Sequence, residues 1–295
     1  MVVYDQIPDP RRLSLIAPAD DLKRVAVQTG AIEDTARVKS LVRERGITHI
    51  VHLAAALIPF CQAEPVKGAL TNVIGTLNVF EAARDAGREV RVVYASSAAV
   101  WGPEEAYGDR PLKESDLLLP GTHYGVFKQA NEGNAGVFYR LNGISSVGLR
   151  PWSVYGLGRD SGLTADPTLA AKAVVKKRPF RIRVSGKMDL QYVEDVAAAF
   201  VEALLSPLEG AHVFNLAGEI IDMEDLIGML ERLRPGAGQL LSAGGAPVPV
   251  AHNVDGSRIR ELIPGIPITP LETGLERTLR HFERLESEGR LTWDL

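Results

Sequence analysis

Short apolar runs alternate with longer amphipathic runs along most of this chain. Residue 34 is a suitable N-cap for the first amphipathic run, and glycines at 46, 87 and 143 would end the first three. This alternation is typical of βαβ units and predicts an α/β fold with a doubly wound, mainly parallel sheet. Strands are predicted over 47–53, 90–95 and 144–149, and helices over 34–45, 65–86, 123–141 and 194–205.

Composition and charge narrow the class of protein. The chain has 295 residues, 45% of them hydrophobic, which is enough for a sizeable core. A net charge of -4 offers no footprint for nucleic acid or an anionic membrane. No apolar run reaches the roughly 20 residues that span a bilayer, and the N-terminus lacks a signal-peptide pattern. We therefore expect a cytoplasmic protein with a small-molecule substrate and with neither nucleic acid nor membrane as partner.

The metal-binding residue types are sparse. Cys61 is the single cysteine, so neither a disulfide nor a thiolate metal site is expected, and a small buried hydrophobe is the favoured interpretation. His49 and His52 are three apart in a predicted strand and point to opposite faces. No histidine spacing suits a metal, and we predict no metal site.

A serine, a tyrosine and a lysine form the candidate catalytic group. Tyr124 and Lys128 are one helical turn apart, so they share a helix face. The ammonium can then favour tyrosinate and lower the phenol pKa from its ordinary value of about 10. Ser97 follows an apolar strand and can hydrogen-bond the same substrate oxygen. Proton-coupled hydride transfer needs such a group, although a Tyr and Lys pair alone is common on exposed helices.

Six segments around these residues, in one order, give the chain a resemblance to a known family. It resembles the extended short-chain dehydrogenase/reductase family, also called the NAD-dependent epimerase/dehydratase family. The segments are His52-Leu53-Ala54-Ala55, Asn72-Val73-Ile74-Gly75-Thr76, Ser96 to Gly102, the Tyr124/Lys128 pair, Leu149 to Gly156, and Tyr192 to Ala197.

The resemblance implies a Rossmann-like fold and NAD as cofactor. Residues 1–150 would form the dinucleotide-binding part, and 151–295 a smaller substrate-binding lobe interleaved with the last sheet strands. A homodimer through helices 65–86 and 123–141 is also implied. Catalytic roles fall to Ser97, Tyr124 and Lys128. Cofactor contacts fall to Asp5, Ile32, Leu53, Ala54, Ala55, Asn72, Tyr124, Lys128, Pro151 and Val154, and substrate contacts to Ser97, Ala98, Ser153 and Arg159.

The chain departs from this family most at its beginning. The dinucleotide fold starts with a strand, a glycine-rich turn and a helix that holds the pyrophosphate. Here the first glycine is Gly30, and residues 1–5 resemble the second strand, with Asp5 as the ribose-binding acid. The missing first strand would be central, so its loss leaves two unpaired edges. We expect altered strand closure, a partner chain in the gap or, as the favoured origin, an encoded start upstream of Met1.

Two further departures concern the cofactor. Ala31 stands where the family usually has an acid that contacts the adenine amino group, while Ile32 keeps the apolar contact. Asp5 favours NAD over NADP, because a carboxylate repels a 2′-phosphate; the alternative is a solvated residue at a strand end.

Other departures narrow the reaction. Ala98 and Ala99 replace the Asp-Glu pair of sugar-nucleotide dehydratases, which disfavours dehydration. Met188 replaces the arginine that holds the diphosphate in UDP-sugar epimerases. Lys187 or Arg183 would compensate only as point charges, since neither offers the bidentate fork of a well-placed arginine.

We therefore predict an NAD(P)-dependent oxidoreductase or epimerase acting on a secondary alcohol of a sugar, sugar acid or sugar nucleotide. The alternative is a cofactor-impaired member that acts as a binding or regulatory protein, or as part of a hetero-oligomer.

Overall fold

The computed structural model describes residues 1–293, including every side chain in that range except those of residues 10, 11 and 163. Its strands are β1 Val2–Asp5, β2 Ala26–Thr29, β3 His49–His52, β4 Arg91–Ala95, β5 Ser146–Arg150, β6 Ser153–Tyr155, β7 Phe180–Ile182, β8 Lys187–Tyr192, β9 Ala211–Asn215, β10 Glu219–Asp222 and β11 Leu241–Ala243. Its α-helices are α1 Pro10–Ile16, α2 Ala19–Leu22, α3 Thr35–Glu44, α4 Ile58–Ala63, α5 Pro65–Ala69, α6 Gly75–Arg84, α7 His123–Asn142, α8 Asp166–Val175, α9 Val193–Leu205, α10 Met223–Leu233, α11 Ala237–Leu240, α12 Ser257–Leu262 and α13 Leu271–Ser287.

The main sheet has four parallel strands in the order β3-β4-β5-β9. Helices α3, α6 and α7 pack on one face through a core that includes Val38, Phe80 and Ala135. Helices α9 and α12 cover the other face, with Phe200 and Ile259 in that core. The fold is a doubly wound, Rossmann-like α/β structure. The alternation of apolar runs predicts its parallel βαβ units, and the family resemblance implies the Rossmann-like arrangement.

A separate two-stranded ladder lies at the other end of the dinucleotide-binding part. Strands β1 and β2 pair in parallel, and neither pairs with β3 within residues 1–293. Tyr4 of β1 and Ile50 of β3 nevertheless pack against the same helix core. We call β1 and β2 the outer ladder. The main sheet and the outer ladder share one helix layer but no backbone ladder, so the predicted altered closure of β1 onto β3 does not occur.

The later part of the chain builds a second core around β6-β8-β10 and the β7-β11 pair. Helices α8, α10 and α13 surround it. Strand β9 returns to the main sheet beside β5, so the two parts interleave. The division at residues 150 and 151 stays a prediction.

Local sequence signals explain the helix ends. Asp34 caps α3 by accepting a hydrogen bond from Arg37 N at 2.9 Å. Gly143 ends α7 with φ +69°, a left-handed conformation that favours glycine. The predicted helix over 65–86 is instead α5, a π-helical turn Leu70–Ile74 and α6.

Candidate active site

The three candidate catalytic residues meet where β4 ends against the start of α7. Thr122 caps α7 through Gly125 N at 3.1 Å, which places Tyr124 in the first turn. The Ser97 hydroxyl lies close enough to the Tyr124 phenol to lower its pKa. The Lys128 ammonium lies 5.4 Å from the centre of the Tyr124 ring. The structure thus brings together the serine, tyrosine and lysine that the sequence singles out.

Close packing between β4 and α7 makes this meeting possible. A Cβ added to Gly125 would stand 2.1 Å from Ala99 O, so any side chain there would push the helix away from the loop after β4. Gly125 therefore sets the approach of the two elements that carry the site.

Burial governs the ionisation of Lys128. Its side chain is 4% exposed, and the ammonium donates to Ala95 O at 2.6 Å. Burial lowers the Lys128 pKa to about 8, although Cys61 and Glu132 act in the opposite direction. The other two N–H groups of the ammonium have no hydrogen-bond acceptor among the contacts in the described part of the chain, which leaves them for a ligand.

The predicted fall in the pKa of Tyr124 is not what the structure shows. Burial raises the pKa of the Tyr124 phenol above its ordinary value, and this outweighs the nearby Ser97 hydroxyl and Arg159 charge, which lower it. Lys128 faces the ring, and its short bond goes to Ala95 O. The phenol is therefore protonated at neutral pH in this structure.

A buried histidine, His52, lies near Lys128 at the end of β3. His52 ends β3, is 7% exposed, and its Nε2 lies 3.0 Å from Thr76 Oγ1. Burial, with the Lys128 charge, lowers the His52 pKa to about 3, so the imidazole is neutral.

Asn72 is not a direct cofactor contact as placed. It is 1% exposed, and its amide bonds Ala56 N at 2.7 Å, Ala56 O at 2.9 Å and Cys61 Sγ at 3.4 Å. The side chain instead holds the loop that follows β3. Leu53 and Ala54 in that loop are exposed and Ala55 is half-buried, at the carboxyl edge of the sheet.

Substrate candidates divide in the same way. Ser153 is fully buried and donates to Thr164 O at 3.0 Å, and Ala98 is 3% exposed, so neither presents a free polar group. Pro151 and Val154 are half-buried around β6. Arg159 lies close enough to Tyr124 to change its pKa. Arg159 Nη2 bonds Thr164 Oγ1 at 2.9 Å, while its buried Nε has no partner in the described part of the chain.

The residues predicted to contact the adenosine part of NAD lie on or next to the outer ladder. Asp5 is exposed at the carboxyl end of β1, and its carboxylate accepts from Ile7 N at 2.7 Å. Ile32 is half-buried, packs against the helix core and would touch a Cβ at Gly75. The Ala31 carbonyl is taken by the Tyr4 hydroxyl at 2.9 Å.

The residues that would bind the two ends of NAD therefore differ in how well they suit it. Lys128 has free donors where the nicotinamide ribose would lie, and Asp5 stands at the edge where the adenine ribose would lie. Within residues 1–293 no glycine-rich turn leads from β1 into a helix.

Sequence reasoning missed a buried network behind the site. Glu132 joins Ser96 on one side to Arg150 on the other. Its position one turn after Lys128 on the same helix face was the available signal.

Met188 and Arg183 are the residues considered for binding a substrate diphosphate. Met188 is fully buried in the second core. Arg183 is bound by Asp166, with Nη2 to Oδ1 at 2.5 Å and N to Oδ2 at 2.6 Å. Arg183 is therefore already paired within the protein and does not replace a diphosphate-binding arginine.

The residues described include no group of three His, Cys, Asp or Glu side chains arranged to hold a metal ion. Over the same range, no helix has the length and apolar character needed to cross a membrane.

Known proteins resemble this chain in sequence and fold. UDP-glucuronate 4-epimerase 2 of Arabidopsis thaliana is 27% identical over 294 residues, which cover 90% of this chain and 65% of that protein. The chain thus spans just under two thirds of the length of that relative. The UDP-glucose 4-epimerase of Thermus thermophilus, solved with NAD, is 25% identical with a TM-score of 0.79 over 95% of this chain and 90% of that one. The UDP-glucose 4-epimerase of Thermotoga maritima, solved with UDP-glucose, gives a TM-score of 0.82 at 22% identity, covering 97% and 91%.

The family model for the NAD dependent epimerase/dehydratase family matches residues 10–217, which include Ser97, Tyr124 and Lys128. The chain belongs to the NAD-dependent epimerase/dehydratase family, whose cofactor is NAD.

Proposed function

We propose that the protein catalyses NAD-dependent epimerisation or oxidation at a secondary alcohol of a sugar acid, free or as its nucleotide. The observation that carries this proposal is the contact of Ser97 with Tyr124, with Lys128 one turn below. A substrate hydroxyl placed beside the phenol would share its hydrogen bond with Ser97. When bound, NAD would accept the hydride from the substrate carbon.

The proton would pass between the substrate hydroxyl and the Tyr124 phenolate. Ser97 would hold the same oxygen and share its developing charge. Lys128 would bond the nicotinamide ribose and favour the phenolate, because an opposite charge in a buried site stabilises the ionised form. In epimerisation the same groups return the proton after the ketone turns over.

Arg159 favours an acidic substrate. Its guanidinium lies beside Tyr124, and its buried Nε lacks a partner in the described part of the chain. A buried donor without an acceptor is costly, and a planar guanidinium matches a carboxylate. The curated relatives named as UDP-glucuronate 4-epimerases act, by that name, on a sugar acid nucleotide.

The diphosphate of a nucleotide sugar finds weaker support, because Met188 is buried and Arg183 is paired with Asp166. A free sugar acid is therefore the first substrate to test. The runner-up function is a binding or regulatory protein, which the open end of the crevice at the outer ladder favours.

A substrate panel tests the proposal. The protein with NAD should convert glucuronate or UDP-glucuronate faster than glucose or UDP-glucose, as measured by NADH absorbance and by chromatography of epimeric products. Arg159→Met should raise KM for the acidic sugars by about tenfold to a hundredfold, the cost of one charge-assisted pair. Equal turnover of acidic and neutral sugars by both proteins would contradict the assignment of Arg159.

Cofactor titration separates the enzyme from the runner-up. NAD should raise the melting temperature and quench the tryptophan fluorescence of the wild-type protein. No response to NAD or NADH at millimolar concentration would favour the binding or regulatory function.

We also propose that the protein forms a homodimer through α7 and the helical segment before it. Val126, Val137 and Leu141 are exposed apolar side chains along α7, and Val66 and Leu70 are exposed on the helical segment before it. A second copy would bury this surface as a four-helix bundle. Light scattering of the wild-type protein and of Val137→Glu checks this: the variant should be monomeric, and a monomeric wild-type protein would overturn the proposal.

A further inference from the structure

Three consecutive residues at the end of β4 each face a different residue of α7. Lys128 Nζ donates to Ala95 O at 2.6 Å, and Ser96 Oγ donates to Glu132 Oε1 at 2.5 Å. The Ser97 hydroxyl lies close enough to the Tyr124 phenol to lower its pKa. The α7 residues are spaced by four, so all three lie on one helix face. Two hydrogen bonds therefore fix the strand end against the helix beside the Ser97 and Tyr124 pair, and the Ser96 bond touches neither candidate catalytic side chain.

Glu132 extends this connection to β5. Its carboxylate accepts from Arg150 Nε at 2.8 Å and from Nη2 at 2.7 Å. The side chains of Glu132 and Arg150 are 8% and 3% exposed. The Arg150 guanidinium also lies 4.7 Å from the centre of the buried Trp101 ring, on the segment that follows Ser97. One carboxylate thus holds α7, the end of β4 and the end of β5 together.

We propose that Glu132, through Ser96 and Arg150, is a positioning residue that sets the distance between the Ser97 hydroxyl and the Tyr124 phenol. This inference rests on the proposed function, since the distance matters for catalysis only if those residues perform it. Glu132 touches neither the reacting oxygen nor the phenol. Its effect passes through the backbone that joins Ser96 to Ser97 and through the α7 turn that joins it to Lys128.

The relative placement of two catalytic groups strongly affects the turnover rate. A misplacement of about 1 Å in a catalytic group can cost roughly a hundredfold in turnover. Buried charge-assisted hydrogen bonds are short and directional, so a carboxylate with three of them fixes position better than packing alone. A displaced Ser97 would weaken its interaction with Tyr124, which lowers the Tyr124 pKa.

Glu132 also acts on Lys128 by charge. The carboxylate lies one turn away and favours the protonated ammonium. The other ionisable groups that face Lys128 or Tyr124 are Cys61 of α4, His52 of β3 and Arg159 of the loop after β6. Removing the Glu132 charge should therefore shift the ionisation of Lys128 toward lower pH, whereas removing Ser96 should leave that ionisation in place.

The first test uses the free protein. Tyrosinate absorbance is titrated with pH in the wild-type protein, and the same titration of Tyr124→Phe is subtracted to isolate Tyr124. Ser96→Ala and Glu132→Gln should each move the Tyr124 ionisation to higher pH. Ser206→Ala, a matched control for a buried serine bonded only to its own helix end, should leave it unchanged. An unchanged titration in both site variants would overturn the proposal, whether or not turnover is measurable.

The second test uses the enzyme with NAD and its best substrate from the panel. Ser96→Ala should lower kcat by about tenfold and Glu132→Gln by about a hundredfold, with KM within about twofold. Only Glu132→Gln should also move the alkaline limb of the rate profile, near pH 8, to lower pH. Wild-type kcat in both variants would overturn the proposal.

The two tests keep the positioning role and the proposed function apart. If the wild-type protein turns over no substrate but the Tyr124 titration shifts in both variants, the positioning role stands and the proposed function fails. If Glu132→Gln does not fold, Ser96→Ala decides, because it removes one bond and no charge. An unchanged Tyr124 titration in folded Ser96→Ala then overturns the positioning role.

Discussion

The main sheet and the outer ladder meet the same crevice with opposite degrees of support. Every residue of β5 and the middle of β4 are buried, and Arg150 at the end of β5 is bonded to Glu132 of α7. The outer ladder has three exposed residues out of four in β2 and an exposed Asp5 at the end of β1. The region around Ser97, Tyr124 and Lys128 is thus buried and bonded within the protein, whereas the outer ladder is largely exposed. The two regions therefore allow separate tests of the proposed reaction chemistry and of nucleotide binding.

The largest expected effect lies in the region around Ser97, Tyr124 and Lys128. Tyr124→Phe should reduce turnover by about 100-fold to 10,000-fold, because general acid-base catalysis contributes that much, while NAD binding changes little. Turnover and NAD-dependent melting measure the two properties. A comparable loss of NAD binding would show that this region also holds the nucleotide, which would break the contrast between the two regions.

A second prediction concerns acid stability of the main sheet. The folded His52 pKa is about 3, against about 6.5 in the unfolded chain. The unfolded chain therefore binds more protons between these values, and stability is lost as pH falls from 6.5 toward 3. The His52 contribution is about 3 to 5 kcal/mol at most.

His52→Gln should flatten this acid loss, measured as the free energy of unfolding in urea from pH 7 to pH 4. Asp189, buried in the second core, has its pKa raised to about 7 and acts in the opposite sense, since it gains protons on folding. Asp189→Asn should therefore steepen the acid loss. Identical pH curves for His52→Gln and the wild-type protein would refute the assignment.

A matched pair of valines compares packing in the two regions directly. Val92 in β4 is fully buried, whereas Val27 in β2 is 41% exposed. Val92→Ala should lower the free energy of unfolding by about 2 to 3 kcal/mol, and Val27→Ala by less than about 0.5 kcal/mol. Equal losses in urea unfolding would mean that the outer ladder is buried in solution, by a second chain or by added sequence.

The smallest effect is expected at the adenosine end. Asp5→Asn should weaken NAD binding by about threefold to tenfold, the value of one exposed hydrogen bond to a hydroxyl. Asp20→Asn, at an exposed position of α2, is the control and should have no effect. Calorimetric titration with NAD measures both, and no change in Asp5→Asn would identify that residue as a solvated strand end.

Much of the main sheet and its helices could be predicted from sequence, because the hydrophobic periodicity is strong and the helix caps lie next to the helices that they end. The helix over 123–141 and its glycine end agree with α7 to within one residue, since Thr122 and Gly143 carry the signals themselves. The meeting of Ser97, Tyr124 and Lys128 followed from a family pattern, which encodes a three-dimensional arrangement that spacing alone does not.

Burial is what residue type alone does not predict. Ser153, Asn72 and Ile32 have residue types suited to a ligand, and the fold bonds or packs their side chains internally, so their ligand contacts stay predictions. The predicted fall in the pKa of Tyr124 was wrong because desolvation depends on how much protein covers the phenol. Ser97 and Arg159, which are distant from Tyr124 in sequence, lower its pKa but do not offset that burial.

The π-helical turn over residues 70–74 has a consequence for how this helix tolerates changes in length. A π turn carries about one residue more than an α turn, so it rotates everything before it relative to everything after it. The exposed side chains of Val66 and Leu70 therefore keep their present direction only while that extra residue is present. Deleting one residue here would give a regular α-helix, turn the Val66 side chain by about 100 degrees relative to α6, and withdraw the Asn72 carbonyl from Asn131 Nδ2, now 2.8 Å away.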